Sequence, residues 1–246
     1  MTRRGGPGRP RAIAQERRAG TGRAEILDAA AELFSNSGYA ATSTRAIAEA
    51  VGIRQASLYY HFPSKDQILA ELLAETVRPA IAYTDWLDGV RAGAAEKLWS
   101  LAYVDVHQLA ASRWNVAAIY LLPEVRTGPF EEFHEGRLQL KRSYAELAAG
   151  CVGRWDPRAT DVHPLSEFVF ALVESVERIR ADEASLTLEE YAGGIASAAI
   201  RMLRCPARSC AGTEKRGRRL VERYRSLPAG ADQVTAGGTD SVAALG

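Results

Sequence analysis

Residues 43–62 read STRAIAEAVGIRQASLYYHF, and this stretch decides the fold. Ser43 precedes a short apolar-periodic segment as an N-cap residue would, and Gly52 then permits a tight turn. A second short segment begins at 53 to 55 and ends before Pro63, because the residue before a proline is disfavoured in helical angles. Two short helices joined by a glycine-containing turn are typical of a helix-turn-helix.

An amphipathic helix precedes this stretch. Its apolar residues recur at helical spacing from Ile26 to Phe34, and Gly38 ends it. After it, Ser64 caps a further helix. We expect four apolar residues to hold the two short helices against Ile26 and Phe34, namely Ile47, Val51, Ile53 and Leu58. The sequence therefore predicts a three-helix domain with the remaining polar residues outside.

The outer residues have side chains suited to DNA. Gln55 can read the N6 and N7 edge of adenine, Arg45 can read guanine, and Ala56 can contact the thymine methyl group. The Lys65 charge opposes the dipole of the helix that it begins, so a phosphate partner is expected there. The predicted DNA contacts are Thr44, Arg45, Gln55, Ala56, Ser57, Tyr59, Tyr60, His61 and Lys65. The alternative is a capped three-helix bundle with a solvated aromatic cluster.

Residues 23–72 resemble the TetR family of bacterial regulators. The resemblance rests on AAAELF at 29–34, GY at 38–39, TRAIA at 44–48 and SLYYHFPSK at 57–65. It implies an all-helical homodimer whose C-terminal body binds a small effector. It also implies that the nine outer residues named above contact a palindromic operator.

The rest of the chain also reads as helices, so the predicted fold class is all-α. The predicted helices are 94–111, 115–121, 130–151, 165–182 and 188–204, the last with a capping box formed by Thr187 and Glu190. We expect a disordered basic arm (1–22), a DNA-binding domain (23–68), a larger effector-binding and dimerisation domain (69–204) and a disordered tail (205–246). Within that tail, residues 214–225 could form a frayed helix.

The basic arm and the residue after it, residues 1–23, contain seven Arg and one Glu. Arg9 and Arg11 lie in GRPR, which resembles a short minor-groove hook. One hypothesis is that the arm reaches the minor groove beside the helix-turn-helix. The other, equally supported, is a nonspecific tail that adds only counterion release.

The body lacks the sequence motifs of catalysis, and an enzyme is not expected. Its aromatic residues predict a pocket for a small apolar or aromatic effector, because such pockets combine an apolar lining with a few polar groups. The predicted pocket residues are Trp86, Trp99, Tyr103, His107, Trp114, Asn115, Tyr120, Phe133 and His134. The alternative is that the aromatics are ordinary core residues.

The last two predicted helices have broad apolar faces and small residues that permit close helix approach. Two such helices from each subunit can form a four-helix bundle with two-fold symmetry. The predicted interface residues are Phe168, Leu172, Val176, Tyr191, Ile195, Ala199 and Met202. The alternative is packing within one subunit.

The three cysteines form no disulfide framework, and neither a metal site nor a cofactor is expected. No apolar run of membrane-spanning length and no secretory signal occur, so a cytoplasmic protein is expected. Together these features predict a repressor that a small effector releases from its operator. The alternatives are an activator of the same fold, an enzyme that acts on the ligand, and a helical interaction protein without DNA.

Overall fold

The computed structural model describes residues 22–111, 125, 129–155, 162–176 and 186–228, and every regular element in these ranges is a helix. The arm up to residue 21 and the predicted helix 115–121 lie outside them. The helices are α1 (Gly22–Ser37), α2 (Thr44–Val51), α3 (Gln55–His61), α4 (Lys65–Asp88), α5 (Ala94–Ala111), α6 (Glu131–Trp155), α7 (Val162–Glu174), α8 (Leu188–Met202) and α9 (Ala207–Arg225).

Helices α1 to α3 and the first half of α4 enclose one hydrophobic core. Ile26, Ile47 and Leu58 are fully buried there, and Phe34 is almost so, as their helical spacing predicts. Gly38 directly follows α1 at a φ of 84° and confirms the predicted end of that helix. The N-terminal three-helix arrangement is therefore fixed by a small number of apolar residues.

A second core lies between α5 and the helices around it, which are α4, α6, α7, α8 and α9. The predicted helix 94–111 has the same bounds in the structure. The capping box of α8 is also confirmed, since the Thr187 hydroxyl accepts from the Glu190 backbone and Glu190 accepts from the Thr187 backbone. Helix α6 extends four residues beyond its predicted end at 151.

Helix α4 joins the two cores without a break. Ile68 and Leu73 belong to the first core, whereas Ala80 and Tyr83 belong to the second. The predicted boundary between residues 68 and 69 falls one turn inside this helix. The N-terminal domain and the body therefore share a helix rather than a linker.

The predicted disorder after residue 205 is wrong for residues 207–225, which form α9. Its buried residues, Cys210, Thr213, Gly217 and Val221, recur at helical spacing. The frayed helix considered for residues 214–225 is the C-terminal part of α9. The sequence pattern misses the first part of α9 and its packing because the buried residues other than Val221 are small or polar, while the exposed faces are rich in arginine. The arginines nevertheless contribute to packing, as Arg218 lies 5.1 Å from the Trp99 ring centroid.

Gly217 lets α9 approach α5 closely. A Cβ atom at this position would lie 2.5 Å from the Trp99 ring and 3.3 Å from the backbone oxygen of Glu96. By contrast, a Cβ atom at Gly212 in the same helix would meet only the flexible end of Arg216, at 3.2 Å. These two glycines form a matched pair for testing how α9 packs.

Gly217→Ala should lower the free energy of unfolding by about 1–3 kcal/mol, because the added methyl group overpacks the contact with Trp99. Gly212→Ala should be neutral or stabilising, since alanine favours a helix over glycine by about 1 kcal/mol. Urea unfolding at fixed protein concentration, followed by tryptophan fluorescence, measures both. Equal stability of the two variants would mean that α9 does not pack on Trp99 as described.

Candidate nucleic-acid interface

The turn between α2 and α3 is built by local hydrogen bonds. The Ser43 hydroxyl accepts from the Ala46 backbone at 3.1 Å and so caps α2, as predicted. Gly52 has a φ of 79°, a region that side-chain-bearing residues rarely adopt, and its N–H donates to the Ala48 oxygen at 2.9 Å. Helix α3 begins immediately afterwards at Gln55 and ends at His61, before Phe62 and Pro63.

Leu58 anchors α3 to the core and leaves the rest of the helix outside. It is the buried residue of α3, whereas the other six are exposed. Tyr60 is 88% exposed and Tyr59 45% exposed. Both tyrosines therefore lie outside the core, and α3 presents a helix surface of the width that enters a major groove.

Three of the predicted DNA contacts form one polar cluster at the crossing of α2 and α3. The Gln55 amide nitrogen donates to the Thr44 hydroxyl at 3.0 Å and lies 3.4 Å from the Tyr59 hydroxyl. The Thr44 and Tyr59 hydroxyls are 3.1 Å apart. This cluster orients Gln55 before any ligand arrives. Because both contacts use the amide nitrogen, reading adenine requires Gln55 to release one of them.

Arg45 lies on the exposed side of α2, where its Nε donates to Glu49 at 2.9 Å. The two residues are one helical turn apart, and both side chains are more than half exposed. Exposed pairs of this kind contribute little free energy, so Glu49 does not prevent Arg45 from turning to a base or a phosphate.

Lys65 has intramolecular acceptors that the sequence did not reveal. Its ammonium group donates to the backbone oxygens of Tyr39 at 2.8 Å and Thr42 at 2.9 Å, and it lies 4.1 Å from the Tyr39 ring centroid. These two carbonyl groups stabilise the Lys65 charge in the first turn of α4, so its position there does not require a phosphate partner. Lys65 thus fixes the loop between α1 and α2, and a phosphate contact from it stays a prediction.

The described residues of the predicted effector pocket do not form one site. Trp99 and Tyr103 of α5 and Trp86 of α4 belong to the second core, where α9 covers them. Trp99 is fully buried and donates to the Ser197 hydroxyl at 3.0 Å. For these aromatics the alternative interpretation, ordinary core packing, is the correct one.

The other predicted pocket residues are scattered. His107 is half-buried, with its Nε2 3.8 Å from Glu189, and burial lowers its pKa. His134 is exposed on α6, with its Nε2 3.0 Å from the Val125 oxygen. Phe133 is buried and lines a different cavity. Trp114, Asn115 and Tyr120 lie outside the described residues.

The cavity that Phe133 lines measures about 30 Å³ and lies among α4, α5, α6 and α7. Its charged lining consists of Asp105, Arg137 and Glu174. Asp105 is almost completely buried, and burial raises the pKa of its carboxyl to about 7. Asp105 was not among the residues predicted for a site, although its position seven residues after Leu98 places an acidic residue on the buried stripe of α5.

A second missed feature is the proline inside α4. Pro79 has no N–H, so the Glu75 oxygen loses its partner within the helix. The Gln108 amide of α5 donates to that oxygen at 3.0 Å and so fills the gap. A proline within an apolar-periodic helix was the available signal, but its partner from another helix was not visible in the sequence.

The predicted dimer surface is corrected at four positions. Val176, Tyr191, Ile195 and Ala199 are at most 7% exposed in a single subunit and belong to its own core. They face inward because α8 packs along α5 within the same chain. The remaining predicted residues do reach the surface, since Phe168 is 57% exposed and Leu172 and Met202 are partly exposed.

The described part of the chain offers no group of three or more His, Cys, Asp or Glu residues placed to hold a metal ion. Cys151, Cys205 and Cys210 are buried free thiols, and burial raises the pKa of Cys151 and of Cys205 to about 12. In the same ranges no helix has the length and apolarity needed to cross a bilayer.

Comparison with known proteins identifies the N-terminal helices. Residues 26–72 match the family described as "Bacterial regulatory proteins, tetR family". The HTH-type transcriptional repressor KstR2 of Mycolicibacterium smegmatis is 42% identical over 67 residues, 27% of this chain and 29% of that protein. The negative transcriptional regulator IcaR of Staphylococcus aureus is 52% identical over 44 residues, 18% of this chain and 24% of that protein. The chain thus matches less than a third of the length of these curated relatives.

A solved structure extends the similarity to the body. The crystal structure of Mycobacterium smegmatis AmtR superposes with a TM-score of 0.74, covering 90% of this chain and 100% of that chain at 40% identity. At this identity and coverage the similarity includes the helical body as well as the helix-turn-helix. The chain therefore belongs to the TetR family of transcriptional regulators.

Proposed function

We propose that the protein is a homodimeric repressor that binds palindromic operator DNA and is released by a small effector. The observation that carries the proposal is the exposed outer side of α3, which presents Gln55, Tyr59 and Tyr60 on a helix anchored by Leu58. Repression is favoured over activation because KstR2 and IcaR, which match this segment, are named as a repressor and a negative regulator.

The exposed apolar surface of α7 and α8 supports the dimer. Phe168 and Leu172 lie one turn apart on α7, and α8 offers Gly194, Ala198 and Met202 at its surface. A two-fold axis at this surface would pair α7 and α8 with the same helices of a second subunit. Each subunit then places one α3, and the two recognition helices reach major grooves about one helical turn apart.

Helix α4 supports coupling between the body and the DNA-binding domain. On its outer side, Glu71 of α4 forms an ion pair with Arg23 of α1 at 2.9 Å. Arg78, also of α4, forms ion pairs with Glu71 at 2.7 Å and with Glu132 of α6 at 2.8 Å. On its inner side, α4 contributes Thr76 to the cavity. Suppose that α4 can occupy two placements relative to the body. An effector that binds more tightly to one of these conformations shifts the population toward it and changes the spacing of the two α3 helices.

Transcription in vitro tests the proposal. A promoter carrying a bound genomic fragment is transcribed with and without the full-length protein. The proposal predicts fewer transcripts when the protein is present, whereas an increase would establish an activator. A protein with Gln55→Ala and Tyr60→Ala serves as the control and should leave transcription unchanged.

The enzyme alternative has its own test. The compound that restores transcription is recovered after incubation with the protein and compared with the starting material by mass spectrometry. A regulator should return it unchanged and in full amount, and turnover of the compound would establish an enzyme.

A further inference from the structure

Asp105 is a buried carboxyl group at the wall of the cavity among α4, α5, α6 and α7. One of its oxygens accepts from the Tyr144 hydroxyl at 3.0 Å. Among the described residues no bond to its other oxygen is seen. A buried carboxyl group with one hydrogen-bond partner is costly when ionised, because desolvation is only partly compensated.

The donors around Asp105 already have acceptors. The Tyr144 hydroxyl is committed to Asp105 itself. Arg137 forms two hydrogen bonds of 2.9 Å with the carboxylate of Glu174, a bidentate pair. Among the described residues, the ionisable groups that line the cavity are thus one guanidinium and two carboxyls, and Glu174 further raises the pKa of Asp105. Because Arg137 is paired with Glu174, an ionised Asp105 leaves the lining with one uncompensated negative charge, which favours a cation.

A second acceptor on α5 also lacks a donor among the described residues. Gln108 lies one turn after Asp105 but outside the cavity lining, and its Oε1 is buried with no hydrogen-bond partner there. Its amide nitrogen is held at the Pro79 break by the Glu75 oxygen, so the amide cannot turn round without losing that bond. Gln108 therefore cannot donate to Asp105, and a bound molecule with N–H groups would supply the donor that the second Asp105 oxygen lacks.

The cavity limits the size of that molecule. A volume of about 30 Å³ has room for about two water molecules, far below the several hundred Å³ of ordinary effector pockets. An occupant of about four heavy atoms is larger than this space, so its binding requires the lining side chains to move apart. This size differs from the larger apolar or aromatic effector that the aromatic residues predict.

We propose that this cavity is the effector site and that its ligand is a small organic cation with N–H donors, an amidinium, guanidinium or primary ammonium group bound by Asp105. The proposal depends on the proposed function only in assuming that the bound ligand regulates DNA binding. A cation here lies against Thr76 and Val77 of α4, three residues or fewer before Pro79, where the helix lacks one of its own hydrogen bonds.

Thermal melting of the full-length protein tests the site with probes of matched shape. Acetamidinium is compared with acetamide and acetate, and propylammonium with propanol and propanoate, at constant ionic strength. Concentrations on the order of 10 mM are needed, because a ligand of four heavy atoms binds weakly. We expect at least one of the cations to raise the melting temperature in a saturable manner, and their neutral and anionic counterparts to leave it unchanged.

Asp105→Asn should weaken binding of the cation at least tenfold, since it removes a charge-assisted hydrogen bond. Asp88→Asn, at an exposed position of α4, should leave binding unchanged. If the Asn variant does not fold, Thr76→Leu, which fills the cavity from α4, should abolish the response. Stabilisation by the neutral probes, a full response in the Asp105 or Thr76 variant, or no response to either cation would overturn the proposal.

Operator binding in the same samples separates this inference from the proposed function. The cation that stabilises the wild-type protein should also release it from DNA, and not release the Asp105→Asn variant. If wild-type protein binds DNA and no cation affects it, the effector site is wrong and the function stands. If the cations stabilise the protein but no genomic DNA is bound, the site stands and the function is wrong.

Discussion

Asp105→Asn should raise the free energy of unfolding at about pH 8 by about 3–4 kcal/mol and leave it nearly unchanged at about pH 4. Burial raises the pKa of Asp105 from 3.8 to about 7, so the folded protein holds a proton that the unfolded chain has already released. At pH values between these two pKa values, the folded state binds more protons than the unfolded state. Its stability therefore falls as the pH rises from about 4 to about 7.

The asparagine variant has no such proton to lose. Its amide oxygen can still accept from the Tyr144 hydroxyl, which keeps the buried contact. Urea unfolding of both proteins across this pH range, at one protein concentration, gives the difference curve. Because His107, whose pKa is lowered by burial, is present in both proteins, the difference curve separates the contribution of Asp105 from that of His107.

Asp88→Asn is the matched control for this prediction. Its side chain is exposed, so the pH dependence of its difference curve should be far smaller than that of Asp105→Asn. A difference curve for Asp105→Asn no larger than this control would contradict the burial of an uncompensated carboxyl group beside the cavity. It would also remove the main physical support for the cation site.

The second large effect is expected on α3. Replacing Gln55 and Tyr60 together by Ala should lower operator affinity about 100-fold, because a base contact and a phosphate contact each contribute about 1–3 kcal/mol. The melting temperature should hardly change, since both side chains are exposed. Gel shifts with a labelled operator and with mutated half-sites measure affinity and base preference.

Leu138→Ala controls for loss of an exposed large side chain elsewhere. Leu138 is 49% exposed on α6, outside α2 and α3, and its loss should not change operator affinity. If the Gln55 and Tyr60 double variant bound the operator as tightly as this control, α3 would not be the recognition helix.

The helix-turn-helix was predictable because local signals decide it. Ser43, Gly52 and Pro63 mark the ends of two short helices within one continuous stretch of sequence, and Leu58 determines which side of α3 faces inward. Such signals depend on backbone preferences and on spacing, both of which are present in the sequence. The exposed outer side then follows by elimination.

The body was less predictable because its features depend on contacts between distant residues. Helix α9 is stabilised by arginines and by Gly217 against Trp99, which no apolar periodicity reveals. The Glu75 oxygen left free by Pro79 is bonded by Gln108 from another helix. The aromatic residues of α4 and α5 were visible in the sequence, but whether they line a pocket or a core depends on α9.

Selection of genomic DNA tests the central claim most directly. Wild-type protein and the Gln55 and Tyr60 double variant are each incubated with sheared DNA of the source genome, and the retained fragments are sequenced. We expect the wild-type protein to enrich a small set of fragments that share a palindrome with half-sites about one helical turn apart. The double variant should lose them. Equal retention by both proteins, or no enriched sequence with the wild type, would contradict a DNA-binding regulator that reads its operator through α3.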